Sequence, residues 1–154
     1  MKLHHVITLL FCFLLIAAPC IAQDTGKAEL PATVKSSFEK IYPGATIAEW
    51  KLKKNGAYAI EFTHDGLKRE AEFTADGKWL FTEREIKTTE IPEPVSKHLK
   101  ASEWASWEID KASELSSPEK EKYYEIKVEQ RDNKIYLYYL PDGTLIEKSP
   151  KSKS

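Results

Sequence analysis

Apolar residues recur along this chain with two different periods. After Leu30-Pro31, the residues Val34, Phe38 and Ile41 stand four and then three positions apart, which puts them on one helical face. Proline is tolerated in the first turn of a helix, where its missing N–H has no partner to lose, and Pro43-Gly44 ends the run. The period then becomes two. Alternating stretches at 46–52, 57–64, 68–75 and 78–86 predict strands, and Asn55-Gly56, Asp65-Gly66 and Asp76-Gly77 are hairpin-turn dipeptides. The pattern starts again at Ile91-Pro92, with a helix over about 92–101 and strands near 107–113, 122–130, 134–140 and 144–148. Asp132-Asn133 and Asp142-Gly143 mark the later turns.

The two passages match residue by residue. Leu30-Pro31, Val34 and Phe38 return as Ile91-Pro92, Val95 and Leu99 at an offset of 61. Tyr58-Ala59-Ile60-Glu61-Phe62 returns as Tyr124-Glu125-Ile126-Lys127-Val128 at an offset of 66, and Phe73, Asp76-Gly77 and Leu80 return as Tyr139, Asp142-Gly143 and Ile146 at the same offset. The polar run Ser116 to Glu121 is where the extra residues are expected, as a loop insertion. The expected fold class is α+β. Two tandem helix-plus-four-strand antiparallel units, 30–88 and 89–148, join edge to edge into a two-layer helix-on-sheet sandwich.

Alternation separates the faces of that sheet. Tyr58, Ile60 and Phe62, with Tyr124, Ile126 and Val128, are expected to face the helices, together with Phe73, Leu80, Tyr139 and Ile146. The opposite phase holds Glu61, Glu70, Glu72, Trp79 and Phe81, then Tyr123, Glu125, Lys127, Tyr136 and Tyr138. Aromatics beside carboxylates on an uncovered face point to a protein-binding surface, because rings bury much area at low entropy cost. Glu61, Glu70, Glu72, Trp79, Phe81, Tyr123, Tyr136 and Tyr138 are therefore the candidate binding residues, with Trp79, Phe81, Tyr136 and Tyr138 expected to stay partly exposed. Two other readings of the same rings stand beside this one: cross-strand pairs that only steady the sheet, or a strand phase displaced by one residue.

The N-terminus carries its own signal. Lys2 with His4 and His5, the apolar run Val6 to Ala18 and the small residues after it form a secretory signal pattern, with cleavage expected after Ala22. Pro19 stands where a lipoprotein signal needs a small residue, so lipidation at Cys20 is disfavoured. Both cysteines, Cys12 and Cys20, precede the expected cut, which leaves the exported chain without disulfide or thiolate. Residues 23–29 read as a linker and 149–154 as a disordered tail. No membrane span is expected after cleavage. With Lys2 removed, 22 bases face 24 acids, a balance that gives nucleic acid nothing to bind.

Catalytic chemistry is hard to find. His64 and His98 are the histidines of the exported chain, and neither has a partner at metal-ligand spacing. There is no Gly-x-Ser-x-Gly elbow and no Gly-rich phosphate loop. Neither a catalytic residue nor a cofactor is expected. Convergence of Glu61, Glu70 and Glu72, with Asp65 and Asp76 at nearby turns, supports calcium as the alternative, since a hard cation needs only clustered oxygens.

Leu30-Pro31-x-x-Val34, Tyr42-Pro43-Gly44-Ala45-x-Ile47, Trp50, Tyr58-x-Ile60-Glu61-Phe62 and Asp76-Gly77-Lys78-Trp79-Leu80 together resemble the PepSY-like exported proteins typical of Bacteroidetes, whose fold is related to the beta-lactamase inhibitor protein. The resemblance spans about 30–148 and is weaker in the second passage, where Trp104-Ala105-Ser106-Trp107 replaces the Tyr-Pro-Gly-Ala stretch. It implies a periplasmic or secreted protein that binds another exported protein or peptide through its open sheet face, as inhibitor or sensor. Fold alone does not fix such a role.

Overall fold

In the computed structural model of the chain, residues 29–150 are described. The expected signal segment, both cysteines, the expected linker up to residue 28 and the expected tail from residue 151 lie outside them. Helix α1 (Ala32–Ile41) leads into strands β1 (Thr46–Leu52), β2 (Tyr58–His64), β3 (Leu67–Phe73) and β4 (Trp79–Ile86). A single 3-10 turn (Thr88–Glu90) and helix α2 (Glu93–Lys100) follow, then β5 (Glu108–Ser117), β6 (Lys120–Gln130), β7 (Asn133–Tyr139) and β8 (Leu145–Ser149). The strands pair in chain order, all antiparallel, as one eight-stranded sheet.

The expected division into two tandem helix-plus-four-strand units is overturned. Among the described residues 51% are in strands and 17% in helices, so the fold is dominated by its sheet. The sheet has no seam, because β4 pairs with β5 from Thr82↔Ser116 to Ile86↔Ala112. The core does not respect the boundary either: Ile86, from before it, packs in the cluster beneath α2 with Val95, Leu99, Ile126 and Tyr139. A hairpin-paired sheet gains more from continuing its backbone ladder than from ending in two exposed edges. The run Ser116 to Glu121 does not loop out. Its residues lengthen β5 and β6, leaving a two-residue turn at Pro118-Glu119, where Ser117 Oγ accepts the Lys120 N–H at 3.2 Å. Ser149, assigned to the tail, is the last residue of β8.

Both helices lie on one face. Val34 and Phe38 of α1 press on Ile60, Phe62, Ala71 and Phe73, and Phe38 meets Phe62 edge-on with ring centres 4.9 Å apart. Val95 and Leu99 of α2 are its buried positions. Glu93 in its first turn and Lys97, His98 and Lys100 in its last complement the helix dipole. His98 is exposed but lays its ring against Tyr139 at 5.4 Å.

Two irregularities change which side chains face the helices. β3 and β4 lose register between Glu72 and Phe73, so Phe73 pairs with Trp79 rather than Leu80. β7 and β8 do the same between Tyr138 and Tyr139, which pairs Tyr139 with Leu145 rather than Ile146. An extra residue on one strand reverses the inside–outside phase beyond it. Trp79 and Leu145 therefore pack on the helix side, while Leu80 and Ile146, assigned to the core, reach the other face.

The turns ahead of these irregularities are pinned under the helices. Gly143 has φ +87°, and a Cβ there would stand 2.5 Å from the Pro94 carbonyl oxygen; at Gly56, φ +83°, a Cβ meets nothing within 4 Å. Gly56→Ala is expected to cost about 1 kcal/mol through its left-handed backbone alone. Gly143→Ala should cost about 2 kcal/mol or more, because α2 and the β7–β8 turn must also separate. Urea denaturation of both variants checks this, and equal costs would mean that the turn does not bear on the helix.

Candidate binding face

The helix-free face is built from the side chains that point away from α1 and α2. Directly opposed residues share a face, so the pairings give its rows. Glu49 opposes Glu61, Glu61 opposes Glu70, and Glu70 opposes Glu83, which places four carboxylates in line across β1 to β4. The row continues through Leu115 to Tyr123. The next rows hold Glu72 with Phe81, and Ser113, Glu125, Tyr138 and Glu147.

Like charges directly opposed repel. Lysines from flanking strands relieve this. Lys51 Nζ lies 3.4 Å from Glu61 and 3.2 Å from Glu70, and Lys53 pairs with Glu72 and, at 3.9 Å, with Glu70. Lys111 reaches Glu83 from β5, where Ser113 Oγ also donates to Glu83 at 2.6 Å. Burial works against the Lys111 ammonium, but the hydrogen bond to Glu83 and its charge outweigh that and hold the pKa above the ordinary lysine value. Hydrogen bonds to Asp110 and Glu129 raise Lys127 in the same way. The predicted convergence of Glu61, Glu70 and Glu72 is thus on ammonium groups. Among the described residues, no three His, Cys, Asp or Glu side chains are grouped to hold a metal ion.

No described helix covers this face, yet its centre is dry: Glu72, Ser113, Glu125 and Tyr138 are at most 2% exposed. Curling of the sheet is the cause. Trp79 to Phe81 of β4 and Ile146-Glu147 of β8 line one recess, although three strands separate β4 from β8. That recess, of about 300 Å³, has an apolar floor of Leu80, Phe81, Tyr123, Tyr138 and Ile146 and a rim that includes Lys78, Glu119, Lys120 and Glu147. Tyr138 donates its hydroxyl to Glu125 at 2.6 Å. Burial raises the Tyr123 phenol above its ordinary pKa against a lowering hydrogen bond from Ser117, and Glu125, Glu119 and Glu83 raise it further. A second recess, of about 460 Å³, is charged and includes Lys53, Glu61, Glu70, Glu83, Glu85 and Lys111.

The candidate residues divide accordingly. Phe81, Tyr123 and Tyr138 meet in the first recess, Glu61 and Glu70 line the second, and Glu72 is buried beside Phe81. Tyr136 is half-buried on the same face opposite Lys127, outside both recesses. Trp79 is misassigned: although it borders the first recess, its ring packs on the α1 cluster and Nε1–H donates to Thr82 Oγ1 at 3.0 Å. The expectation of partial exposure holds for Trp79 and Tyr136 but fails for Tyr138, at 2%, and for Phe81, at 9%, because the curled sheet closes over them. Alternation could not reveal Leu80 and Ile146, since the irregularities invert it, nor Leu115, which sits in a polar stretch.

The other histidine, His64, faces Tyr42 at 5.7 Å and lies 3.4 Å from its neighbour Asp65. No described helix is long and apolar enough to cross a membrane.

Known proteins place this geometry. No curated protein matches the sequence. A beta-lactamase-inhibitor-protein-like protein of Bacteroides fragilis is 29% identical, with 82% of this chain and 89% of that one covered and a TM-score of 0.69. A DUF2874 family protein of Bacteroides ovatus is 26% identical over 79% and 88% of the two chains, also at 0.69. A Bacteroides eggerthii protein whose name places it provisionally in the periplasm shares the fold at 22% identity and a TM-score of 0.66, over 79% and 89%. The family model provisionally described as beta-lactamase-inhibitor-like, PepSY-like matches residues 56–147. That span is more than half of the chain, and it holds every residue of both recesses except Ala48 and Lys53: this protein belongs to the PepSY-like family.

Proposed function

We propose that the chain is an exported, non-catalytic module that binds another exported protein or peptide through its helix-free sheet face. The observation that carries this is the apolar recess floored by Leu80, Phe81, Tyr123, Tyr138 and Ile146 inside a charged surround, on a face that no described helix covers. An apolar centre with a polar rim is the anatomy of a protein interface. The secretory pattern at residues 1–22 and the beta-lactamase-inhibitor-like description of the family support the same reading.

Ile146 is the probe of choice. It is 38% exposed, so Ile146→Asp should change stability by about 0.5 kcal/mol or less while putting a charge into the recess. Immobilised wild-type protein is expected to retain a partner from a periplasmic extract, and Ile146→Asp to lose it, with unchanged thermal melting. Equal retention by both proteins would move the binding site elsewhere. If the partner is an enzyme, loss of its activity in the complex makes the chain an inhibitor, and full activity makes it a sensor or carrier.

A further inference from the structure

The proposed binding face leaves open what chemistry the partner presents to the apolar recess. A volume of about 300 Å³ is at the small end for a ligand site, so the recess holds one large side chain rather than a stretch of chain. The charges around it balance: Glu119 and Glu147 stand against Lys78 and Lys120. Neither sign is selected. A cation would compete with Lys120, whose Nζ already lies 5.8 Å from the centre of the Tyr123 ring, and an anion would meet Glu119 and Glu147 at the same rim. The hydroxyls of the floor are engaged within the protein. Tyr138 donates to Glu125 at 2.6 Å, and the Tyr123 hydroxyl is hydrogen-bonded with Ser117. What remains to a partner is apolar surface, and much of it is ring: half-buried Tyr123 stands with Phe81 and Tyr138, between Leu80 and Ile146. Aromatic rings packed edge-on or offset gain more than the area they bury.

Resting on the binding reading above, we infer that the recess between the start of β4, the β5–β6 turn and β8 receives an uncharged aromatic side chain of the partner protein, of the phenylalanine type. The ring packs on Phe81 and Tyr123, Leu80 and Ile146 close on its sides, and the balanced charges of the rim stay in water. A ring suits the role because it buries a large apolar area while few rotatable bonds are frozen.

N-acetyl-phenylalanine amide serves as the probe, with the corresponding leucine, arginine and glutamate compounds as controls. Each is titrated into the isotopically labelled protein and followed by amide chemical shifts. The phenylalanine compound is expected to give saturable shifts confined to residues 78–81, 117–123 and 146–147. The leucine compound should bind about threefold more weakly, for loss of the ring contacts. The arginine and glutamate compounds should each bind about tenfold more weakly, because a charge would enter an apolar site without a counter-charge. Added sodium chloride should leave the phenylalanine affinity within about twofold, since no ion pair forms. Ile146→Asp should weaken phenylalanine binding about fivefold or more without lowering the melting point. Binding of any control as tight as that of the phenylalanine compound, shifts centred elsewhere, or no saturable shift would each overturn the inference. Where that happens and Ile146→Asp still abolishes partner capture, the binding face stands and only its aromatic preference falls.

Discussion

Replacing Tyr138 with alanine is expected to destabilise the protein by about 4 kcal/mol or more. Removing a large buried ring costs about 3–5 kcal/mol through lost contacts and the cavity left behind. Tyr138 is 2% exposed, although no described helix covers it. Its hydroxyl also donates to Glu125 at 2.6 Å, and Glu125 is itself 2% exposed, so the truncation removes a hydrogen bond from a buried carboxylate. That loss adds about 1–3 kcal/mol. Tyr138→Phe keeps the ring and isolates the second term. Denaturant unfolding of the three proteins separates the two contributions. A cost below about 1 kcal/mol for the alanine variant would mean that the face is wet and the sheet less curled. A domain of this size has about 5–15 kcal/mol of stability in all, so Tyr138→Ala tests folding rather than binding. That is why Ile146, and not Tyr138, is the probe of the binding site.

Lys111→Met is the second large effect. Glu83 is 9% exposed and accepts hydrogen bonds from Lys111 and Ser113. Breaking a buried ion pair by removing one partner costs about 3–5 kcal/mol because a charge is stranded. The Lys111 side chain is 34% exposed, so solvent screens part of that, and about 2–3 kcal/mol is expected. Changing both partners, Lys111→Met with Glu83→Leu, should restore most of the loss, since an apolar pair of similar volume removes the desolvation cost. Failure of the double variant to recover would show that Glu83 serves its other neighbours more than Lys111. The pH dependence has a definite sign. Lys111 has a folded pKa above its ordinary value of 10.5, so the stability it contributes is complete below that pH and is lost as pH rises through the folded value. Lys111→Met should therefore lose part of the alkaline sensitivity of the wild type.

The elements were legible in the sequence because their signals are local. Apolar spacing at Val34 and Phe38, prolines at 31 and 92, and Gly residues with positive φ at 56, 66, 77 and 143 all act within a few residues. Assignment of the faces held for Ile60, Phe62, Ile126 and Val128, which alternate without interruption and are buried under the helices. It failed at Trp79, Leu80 and Ile146, where one extra residue in β4 or β8 inverts the phase, and a period-two pattern carries no mark of that insertion. The organisation into two units failed for a different reason. A repeating pattern says what recurs along the chain, but the pairing of β4 with β5, and the packing of Ile86 beneath α2, are contacts between the two halves.

The sequence by itself determined which segments become helices and strands, where most turns fall and, where alternation runs without interruption, which strand faces are apolar. These follow from side-chain period, backbone freedom at glycine and proline, and the residue types present. Tertiary structure alone decided that the helix-free face is a curled, partly dry surface. Curl accumulates from the twist of each strand against the next, and only when all the strands have paired does β8 come close enough to β4 to line one recess. The same assembly decided that Glu61 and Glu70 meet Lys51 of β1, that Glu72 meets Lys53 just after it, and that Tyr138 is buried on a carboxylate. Those contacts depend on register between strands, which side-chain alternation within one strand does not encode.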